Sequence, residues 1–275
     1  MSLLVLIALT AWPAGAQAPA VPEFDGLELP GASPAAPSSS ETLETDLAEL
    51  RELARYSLRA SLTEAEEERS ADLVERLAER RPVRRAVAHL LNRKGGKLDR
   101  WVNRALIRRA WKKHGPLPNL AEVTPTIVRG GQPSSEGFRR LRERGVRTIV
   151  NLRMEDGSER TSVEALGMTY VSIPIPDTEA PTREQAIRFL ELCGESSSQK
   201  KLFFHCAAGV YRTGTMAGLY RISRGASATH ALEEAETFGW RESWLNADME
   251  AAFLRQWAAQ SSFGRPSRGD QPDAR

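Results

Sequence analysis

Cysteine and histidine are scarce in this sequence of 275 residues. The two cysteines, Cys193 and Cys206, are too few for a framework of disulfides. The four histidines and two cysteines show neither the C-x-x-C nor the H-x-x-x-H spacing of metal ligands. The sequence therefore argues against a disulfide scaffold and against chemistry at a protein-bound metal, and it predicts no cofactor.

An excess of charge of one sign is also lacking, since the formal net charge is only +2. No nucleic-acid partner is expected of so balanced a chain. The balance conceals one basic stretch, residues 80–113, which holds thirteen Lys or Arg and a single acid, Asp99. Two interpretations are open. With the help of Trp101 and Trp111 the stretch binds an anionic membrane surface, or it is a solvated helical face that contacts the acidic residues 64–68 of its own domain.

No apolar run is long enough to cross a bilayer of about 30 Å. Residues 3–12 are apolar and are followed by small residues, which predicts a signal peptide over residues 1–18, although its first two positions carry no Lys or Arg. We therefore expect export to the periplasm or the exterior, with membrane association as a variant, or a cytoplasmic location if this start is not a signal. The Pro, Ala and Ser content predicts a flexible linker over residues 19–40, and residues 263–275 are expected to be a disordered tail.

The rest of the chain divides at about residue 115. Residues 41–115 have apolar side chains at helical spacing and form a predicted helical basic segment, in which Ser61 and Glu64 match a capping box. In residues 116–262 runs typical of strands alternate with amphipathic helices. This predicts an α/β fold, with a mostly parallel sheet of about four to five strands flanked by helices. The expected strands are 126–129, 146–152, 168–175 and 201–205, and the expected helices are 134–144, 182–192, 213–223, 226–238 and 245–260.

The chemistry of this domain is concentrated after the strand at residues 201–205, where Cys206 is followed six residues later by Arg212. A loop from a strand into a helix can turn its backbone N–H groups inward and bind a phosphate dianion. The expected phosphate-binding residues are Ala207, Ala208, Gly209, Val210, Tyr211 and Arg212. The same positive field favours a thiolate, which activates Cys206 as a nucleophile without a separate base.

Three further residues of this motif have predicted roles. The planar guanidinium of Arg212 can bind two phosphoryl oxygens at once and stabilise the transition state. Thr213 is expected to donate a hydrogen bond to the Cys206 sulfur. His205 is expected to order the loop through hydrogen bonds rather than to act as a base.

The run from His205-Cys206 to Thr213-Gly214 resembles the signature loop of the cysteine-dependent tyrosine and dual-specificity phosphatases, especially the compact atypical type of bacteria, plants and fungi. Residues 128–134 and 145–153 are similar to the first strand, helix and second strand of that type. The resemblance covers roughly residues 116–240. It implies the cysteine phosphatase fold, a two-step reaction through phosphocysteine, no metal, and a separate general acid.

Asp177 is the expected general acid, because it ends a predicted strand 29 residues before Cys206, which is similar to the acid loop of that family. The competitors are Glu155, Asp156, Glu179 and Glu184. The alternative role for Asp177 is to cap the helix that follows.

The expected activity is hydrolysis of a phosphorylated protein on tyrosine, or on tyrosine, serine and threonine. The alternatives are an inositol-phosphate or polyphosphate phosphatase, and a phosphate-binding module without catalysis. Arg153 is either a further cation of the pocket or a surface residue. Cys193 is either a core residue or a resolving thiol for oxidised Cys206.

Overall fold

The computed structural model describes residues 39–92, 97–245 and 247–262. The expected signal peptide, nearly all of the expected linker and the expected tail lie outside these ranges, so they stay predictions. No helix among the described residues is both long and apolar enough to span a bilayer.

Four helices form the segment before the sheet, as predicted. They are α1 (Ser39–Ser57), α2 (Glu64–Ala78), α3 (Arg81–Leu91) and α4 (Lys97–His114). The capping box of α2 lies two residues later than expected, since the Thr63 hydroxyl accepts from the Glu66 N–H and the Glu66 carboxylate accepts from the Thr63 N–H. The buried faces of the helices share an apolar cluster, which also includes Leu245 from beyond the sheet.

The basic face of α4 is paired within the protein. Its arginines contact a row of carboxylates on α2, which removes them from competition for an external polyanion. The pairs are Arg104 with Glu67, Arg108 with Glu64, Glu67 and Glu68, and Arg109 with Glu68, Asp72 and Glu75. The interpretation as a contact with residues 64–68 is therefore confirmed. The membrane interpretation of residues 80–113 stays a prediction, and it draws less support from these three arginines because each already has a carboxylate partner.

The sheet has five strands in the order β1-β2-β5-β3-β4, and all neighbours are parallel except β1 with β2. The strands are β1 (Ala121–Thr124), β2 (Ile127–Gly130), β3 (Val146–Arg153), β4 (Thr169–Ile175) and β5 (Lys201–His205). The α/β prediction is confirmed. The edge strand β1 was not expected, because four residues with one buried side chain carry almost no periodic signal.

Six helices cover the two faces of the sheet. They are α5 (Ser135–Glu143), α6 (Arg160–Ala165), α7 (Arg183–Gly194), α8 (Tyr211–Ser223), α9 (Ala228–Glu236) and α10 (Ala247–Ser262). The central strand β5 is apolar on both sides, as expected of a strand buried between two layers. Phe204 packs in the cluster with Phe189 of α7, whereas Phe203 packs on the opposite face with Phe138 of α5.

The register of the sheet determines where its loops meet. His205, the last residue of β5, pairs with Gly130 at the end of β2 and with Asn151 near the end of β3. Loops that follow parallel strands at one level gather at the carboxyl edge of the sheet, where α/β proteins bind their ligands. The loop of Cys206 is therefore surrounded by the loops that follow β2, β3 and β4.

Candidate active site

The loop after β5 has its carbonyl groups turned outward. The carbonyl oxygens of residues 206–209 each accept a hydrogen bond from a group around the loop. In order, the donors are Nδ1 of His205 at 3.1 Å, the N–H of Gln132 at 2.9 Å, Nδ2 of Asn119 at 2.9 Å and Nη2 of Arg129 at 2.8 Å. In a planar trans peptide the N–H points away from the C=O, so the N–H groups of residues 207–210 face inward. The Gly209 N–H accordingly donates to Cys206 Sγ at 3.3 Å.

Two glycines allow the loop after β2 to lie against this loop. Gly209 has φ +77°, and a Cβ there would lie 2.5 Å from the Gly131 nitrogen. A Cβ on Gly131 would in turn lie 2.9 Å from the carbonyl oxygen of Ala207. Both positions therefore require glycine, one for its backbone conformation and both for the close approach.

Arg129 supports the loop from behind. The side chain is fully buried, its guanidinium lies 4.0 Å over the Phe238 ring, and Nη2 bonds the Gly209 carbonyl. Burial lowers the pKa of Arg129 to about 10, which keeps it charged at neutral pH, and Glu234 and Cys206 act in the opposite direction. The sequence analysis assigned no role to Arg129. The available signal was a charge inside a strand expected to be buried.

Replacement of Arg129 by methionine is expected to lower kcat/KM for p-nitrophenyl phosphate by about tenfold, because a charge-assisted hydrogen bond to the loop is lost. Alkylation of Cys206 by iodoacetamide should slow as well, since a positive charge near the thiolate is removed. The matched control is Arg139→Met, which removes an exposed arginine on α5. Equal kinetics in the two variants would exclude a role of Arg129 in the loop.

Arg212 lies in the first turn of helix α8 and is held by two carboxylates. Its Nη1 lies 2.8 Å from Glu155 Oε2 and its Nη2 lies 3.0 Å from Asp177 Oδ1. Burial opposes the charge of Arg212, which is 1% exposed, but Asp177 and Glu155 more than compensate and raise its pKa above the ordinary value. The guanidinium is thus preorganised at the mouth of the loop.

A buried chain of polar contacts continues from Glu155 to the other side of Cys206. Arg153 binds Glu155 at 2.7 Å and also donates to the side chain of Gln132. Gln132 donates to Glu159, which contacts Nε2 of His205 at 2.9 Å. Arg153 was predicted to be either a further cation of the pocket or a surface residue, and it is buried. His205 bonds both this chain and the Cys206 carbonyl, which are contacts of the kind that its predicted role in ordering the loop requires. Glu159 and Gln132 received no role in the sequence analysis, because nothing in their own spacing indicates a contact.

The predicted partner of Thr213 was wrong. Its hydroxyl donates to the Gly130 carbonyl at 3.3 Å. A hydroxyl has one proton to donate, so in this structure Thr213 ties α8 to β2 and does not donate to the sulfur.

Tyr211, expected to bind phosphate through the loop, stacks its ring on Trp244 at 5.6 Å. This stacking fixes the first turn of α8 against the chain beyond α9. The phosphate-binding role assigned to residues 207–212 stays a prediction.

The contacts of the candidate carboxylates distinguish which of them is suited to act as the general acid. Asp177 lies at Arg212 with a side chain that is 23% exposed. The alternative that it caps α7 is wrong, since the cap is Thr182. Glu155 is unsuited to donate a proton: burial alone would raise its pKa, but Arg212 and Arg153 lower it to about 2. Asp156 accepts from the Ser158 N–H and contacts Arg153.

The other two competitors lie on either side of Thr182. Glu179 contacts Asn92, and Glu184 is in the first turn of α7. In the described part of the chain it is Asp177, and neither of these two, that forms an ion pair with Arg212.

Cys193 lies in the apolar cluster of α7, and its thiol is buried. Burial raises the pKa of Cys193 to about 12. The interpretation as a core residue is confirmed, and the role of resolving thiol loses its chemical basis, because resolution requires a thiolate.

The fold and this site have the arrangement of a domain of the tyrosine and dual-specificity phosphatase type. The family model described as a dual-specificity phosphatase domain fused to NAD+ kinase matches residues 112–252, just over half of the chain. The chain belongs to this family.

Individual proteins are similar over the same region. A probable chloroplastic NAD kinase 2 of Oryza sativa subsp. japonica is 33% identical over 107 residues, which are 36% of this chain and 11% of that protein. The dual-specificity phosphatase TpbA of Pseudomonas aeruginosa PAO1 is 26% identical over 147 residues, which are 53% of this chain and 66% of TpbA. This chain therefore spans about a tenth of the plant relative and just under two thirds of TpbA. A solved putative phosphatase of Shewanella putrefaciens has a TM-score of 0.45 and 24% identity, covering 55% of this chain and 95% of its own.

Proposed function

We propose that the protein hydrolyses phosphomonoesters through a phosphocysteine intermediate on Cys206, without a metal ion. The observation that carries the proposal is the inward-facing N–H groups of residues 207–210, with the Cys206 sulfur and the buried Arg212 guanidinium beside them. Such a nest stabilises both the thiolate and the equatorial phosphoryl oxygens. Turnover of p-nitrophenyl phosphate in EDTA tests the activity, and no turnover, or turnover only with added metal, would contradict it.

In the first step the Cys206 thiolate attacks phosphorus and the bond to the ester oxygen breaks. The phosphate takes the guanidinium edge of Arg212 that faces Asp177, while Glu155 keeps the other nitrogen in place. Asp177, released from the arginine, takes a proton from solvent and gives it to the leaving oxygen as the P–O bond breaks. In the second step Asp177 takes a proton from water, the water oxygen attacks phosphorus, and the S–P bond breaks to release phosphate and the thiolate.

The charges around the loop favour a substrate with one phosphate. Arg212 is already faced by Glu155 and Asp177, and Ala207, Ala208 and Val210 add no cation. A polyphosphorylated inositol would bring further negative charge close to Glu155 and Asp177, and the repulsion would weaken its binding. A phosphotyrosine or dual-specificity protein phosphatase fits best, as the name of TpbA also suggests. The substrate preference is checked by comparing kcat/KM for a phosphotyrosine peptide, a phosphothreonine peptide and inositol hexakisphosphate; a preference for the inositol ester would contradict it.

Substitution of Asp177 by alanine is expected to lower kcat on an alkyl phosphate about 10²-fold to 10³-fold, because the alkoxide leaving group needs a proton. The loss on p-nitrophenyl phosphate should be no more than about tenfold, since nitrophenolate leaves without one. Steady-state kinetics on both esters make the comparison.

The matched control is Glu184→Ala, which removes an exposed carboxylate from the following helix. An equal loss on both esters in Asp177→Ala would assign the acid to another residue.

A further inference from the structure

Helix α4 contacts three of the loops around Cys206. Arg100 Nε donates to the Glu155 carbonyl at 2.9 Å, Asn103 Nδ2 lies 3.4 Å from Asp177 Oδ2, and Trp111 Nε1 donates to the Gln132 carbonyl at 2.7 Å. The three acceptors follow β3, β4 and β2 in turn. Positions 100, 103 and 111 share one face of a helix, because they are separated by multiples of about 3.6 residues.

All three of these α4 residues precede residue 112, where the family match begins. A helix outside the family's common region therefore supplies contacts to the site. This distinguishes the segment from a separate domain that is only attached to the phosphatase.

Asn103 is the member of this face nearest to the acid. It is 2% exposed, and its amide also donates to Asp99 Oδ1 at 2.7 Å and to the Asp99 carbonyl at 3.0 Å. Asp99 is itself buried one turn earlier on α4. The two N–H protons of the Asn103 amide serve these three acceptors, so the 3.4 Å contact with Asp177 shares a proton with one of the bonds to Asp99. The amide bridges the carboxyl of Asp99 and the carboxyl of Asp177 in this shared arrangement.

The charges that face Asp99 come from several elements. The pKa of Asp99 is raised well above its usual value. Burial is the largest cause, and the negative charges of Asp177 and Glu155 add to it, while Arg212 and Arg153 oppose the shift. Burial and the neighbouring carboxylates thus disfavour a negative charge on Asp99 beside Asp177. The two carboxyls can therefore share one amide.

We propose that α4 is part of the catalytic apparatus and that Asn103 is a positioning residue for Asp177. Both oxygens of Asp177 accept an N–H here, Oδ2 from Asn103 and Oδ1 from Arg212, so once the arginine is taken by phosphate Oδ1 is the oxygen free to bind a proton from solvent. Oδ1 is the oxygen that faces Arg212. When phosphate takes the arginine, Asn103 keeps the carboxyl over the loop with Oδ1–H toward the leaving oxygen, which receives this proton as the P–O bond breaks. This inference rests on the proposed function, in which Asp177 is the general acid.

The test is Asn103→Leu, which keeps the side-chain volume and removes the amide. We expect kcat on an alkyl phosphate to fall about fivefold, as for a weak hydrogen bond to an ionisable group, with KM unchanged. On p-nitrophenyl phosphate the change should be less than about twofold, since that reaction needs no acid. Asn103→Ala repeats the measurement with a smaller side chain. Thermal unfolding identifies whichever of the two variants is folded.

The matched control is Arg104→Ala, one residue further along α4, whose guanidinium pairs with Glu67 on α2. Both esters should be hydrolysed as by the wild type. An equal loss on both esters in Asn103→Leu, or no loss on the alkyl ester, would overturn the proposal.

A double-mutant cycle separates this inference from the proposed function. In an Asp177→Ala background, Asn103→Leu should cause no further loss, because the group that it positions is gone. An undiminished loss in that background would overturn the positioning role alone. Absence of any leaving-group dependence in Asp177→Ala would instead overturn the assignment of the acid.

Discussion

Serine in place of Cys206 is expected to abolish hydrolysis of p-nitrophenyl phosphate in EDTA, with kcat lowered by at least about 10⁴-fold. A serine hydroxyl at the same position remains protonated at neutral pH, and among the residues that the structure describes the hydrogen-bond partner of Cys206 Sγ is the Gly209 N–H, which is not a base. The inward N–H groups of the loop stabilise an anion, so they help a thiolate and do not deprotonate an alcohol. Steady-state kinetics, with mass spectrometry of acid-quenched protein for the phosphocysteine adduct, would measure the effect.

The control for this substitution is Cys193→Ser, which changes the other thiol of the chain, in the buried cluster of α7. It should retain turnover if folded. Binding of inorganic phosphate by Cys206→Ser, followed by calorimetry, should persist because the loop and Arg212 remain. Activity that survives in Cys206→Ser would exclude the cysteinyl mechanism. Phosphate binding by a wild type that hydrolyses none of the esters would favour a binding module.

Lysine in place of Arg212 is expected to lower kcat/KM by about 10³-fold. The guanidinium offers both terminal nitrogens to Glu155 and one of them, Nη2, also to Asp177, an arrangement that a single ammonium group cannot reproduce. Two phosphoryl oxygens likewise need two donors in a plane. Lysine keeps a positive charge next to Glu155, which also retains Arg153, so the variant leaves this buried carboxylate paired.

Kinetics on p-nitrophenyl phosphate and the melting temperature would be measured together for Arg212→Lys. Arg139→Lys, at an exposed position of α5, is the matched control and should behave as the wild type. A loss of less than about tenfold in folded Arg212→Lys would show that charge alone suffices and that the two-point geometry is unimportant.

The region around Cys206 was largely predictable from local sequence. The apolar run of β5, the glycine at position 209 and the helix after Arg212 are adjacent in the chain, and each has a strong local preference. The bounds of β5 agree with the prediction, and α8 begins two residues earlier than expected. The choice of Asp177 was harder, since four other carboxylates had similar positions relative to the strands.

Helix α4 illustrates the limit of reading charge from sequence. The count of thirteen cations was correct, but the count does not say which of them have partners. Arg108 and Arg109 are paired with α2 because those two helices pack side by side, and that packing follows from apolar faces distributed over the whole segment. Charge patterns constrain partners only after the packing is known.

By itself the sequence determined the α/β class, the strand, loop and helix around Cys206, and the presence of Arg212 at its mouth. These depend on neighbouring residues and on the backbone preferences of a short segment. Only the tertiary structure decided what surrounds them. Glu155 reaches Arg212 across 57 positions, Arg129 reaches Gly209 across 80, and Asn103 reaches Asp177 across 74. Such contacts depend on strand order and helix packing, which bring distant segments together. The sequence around the contacting residues has no periodic pattern that would indicate the contact.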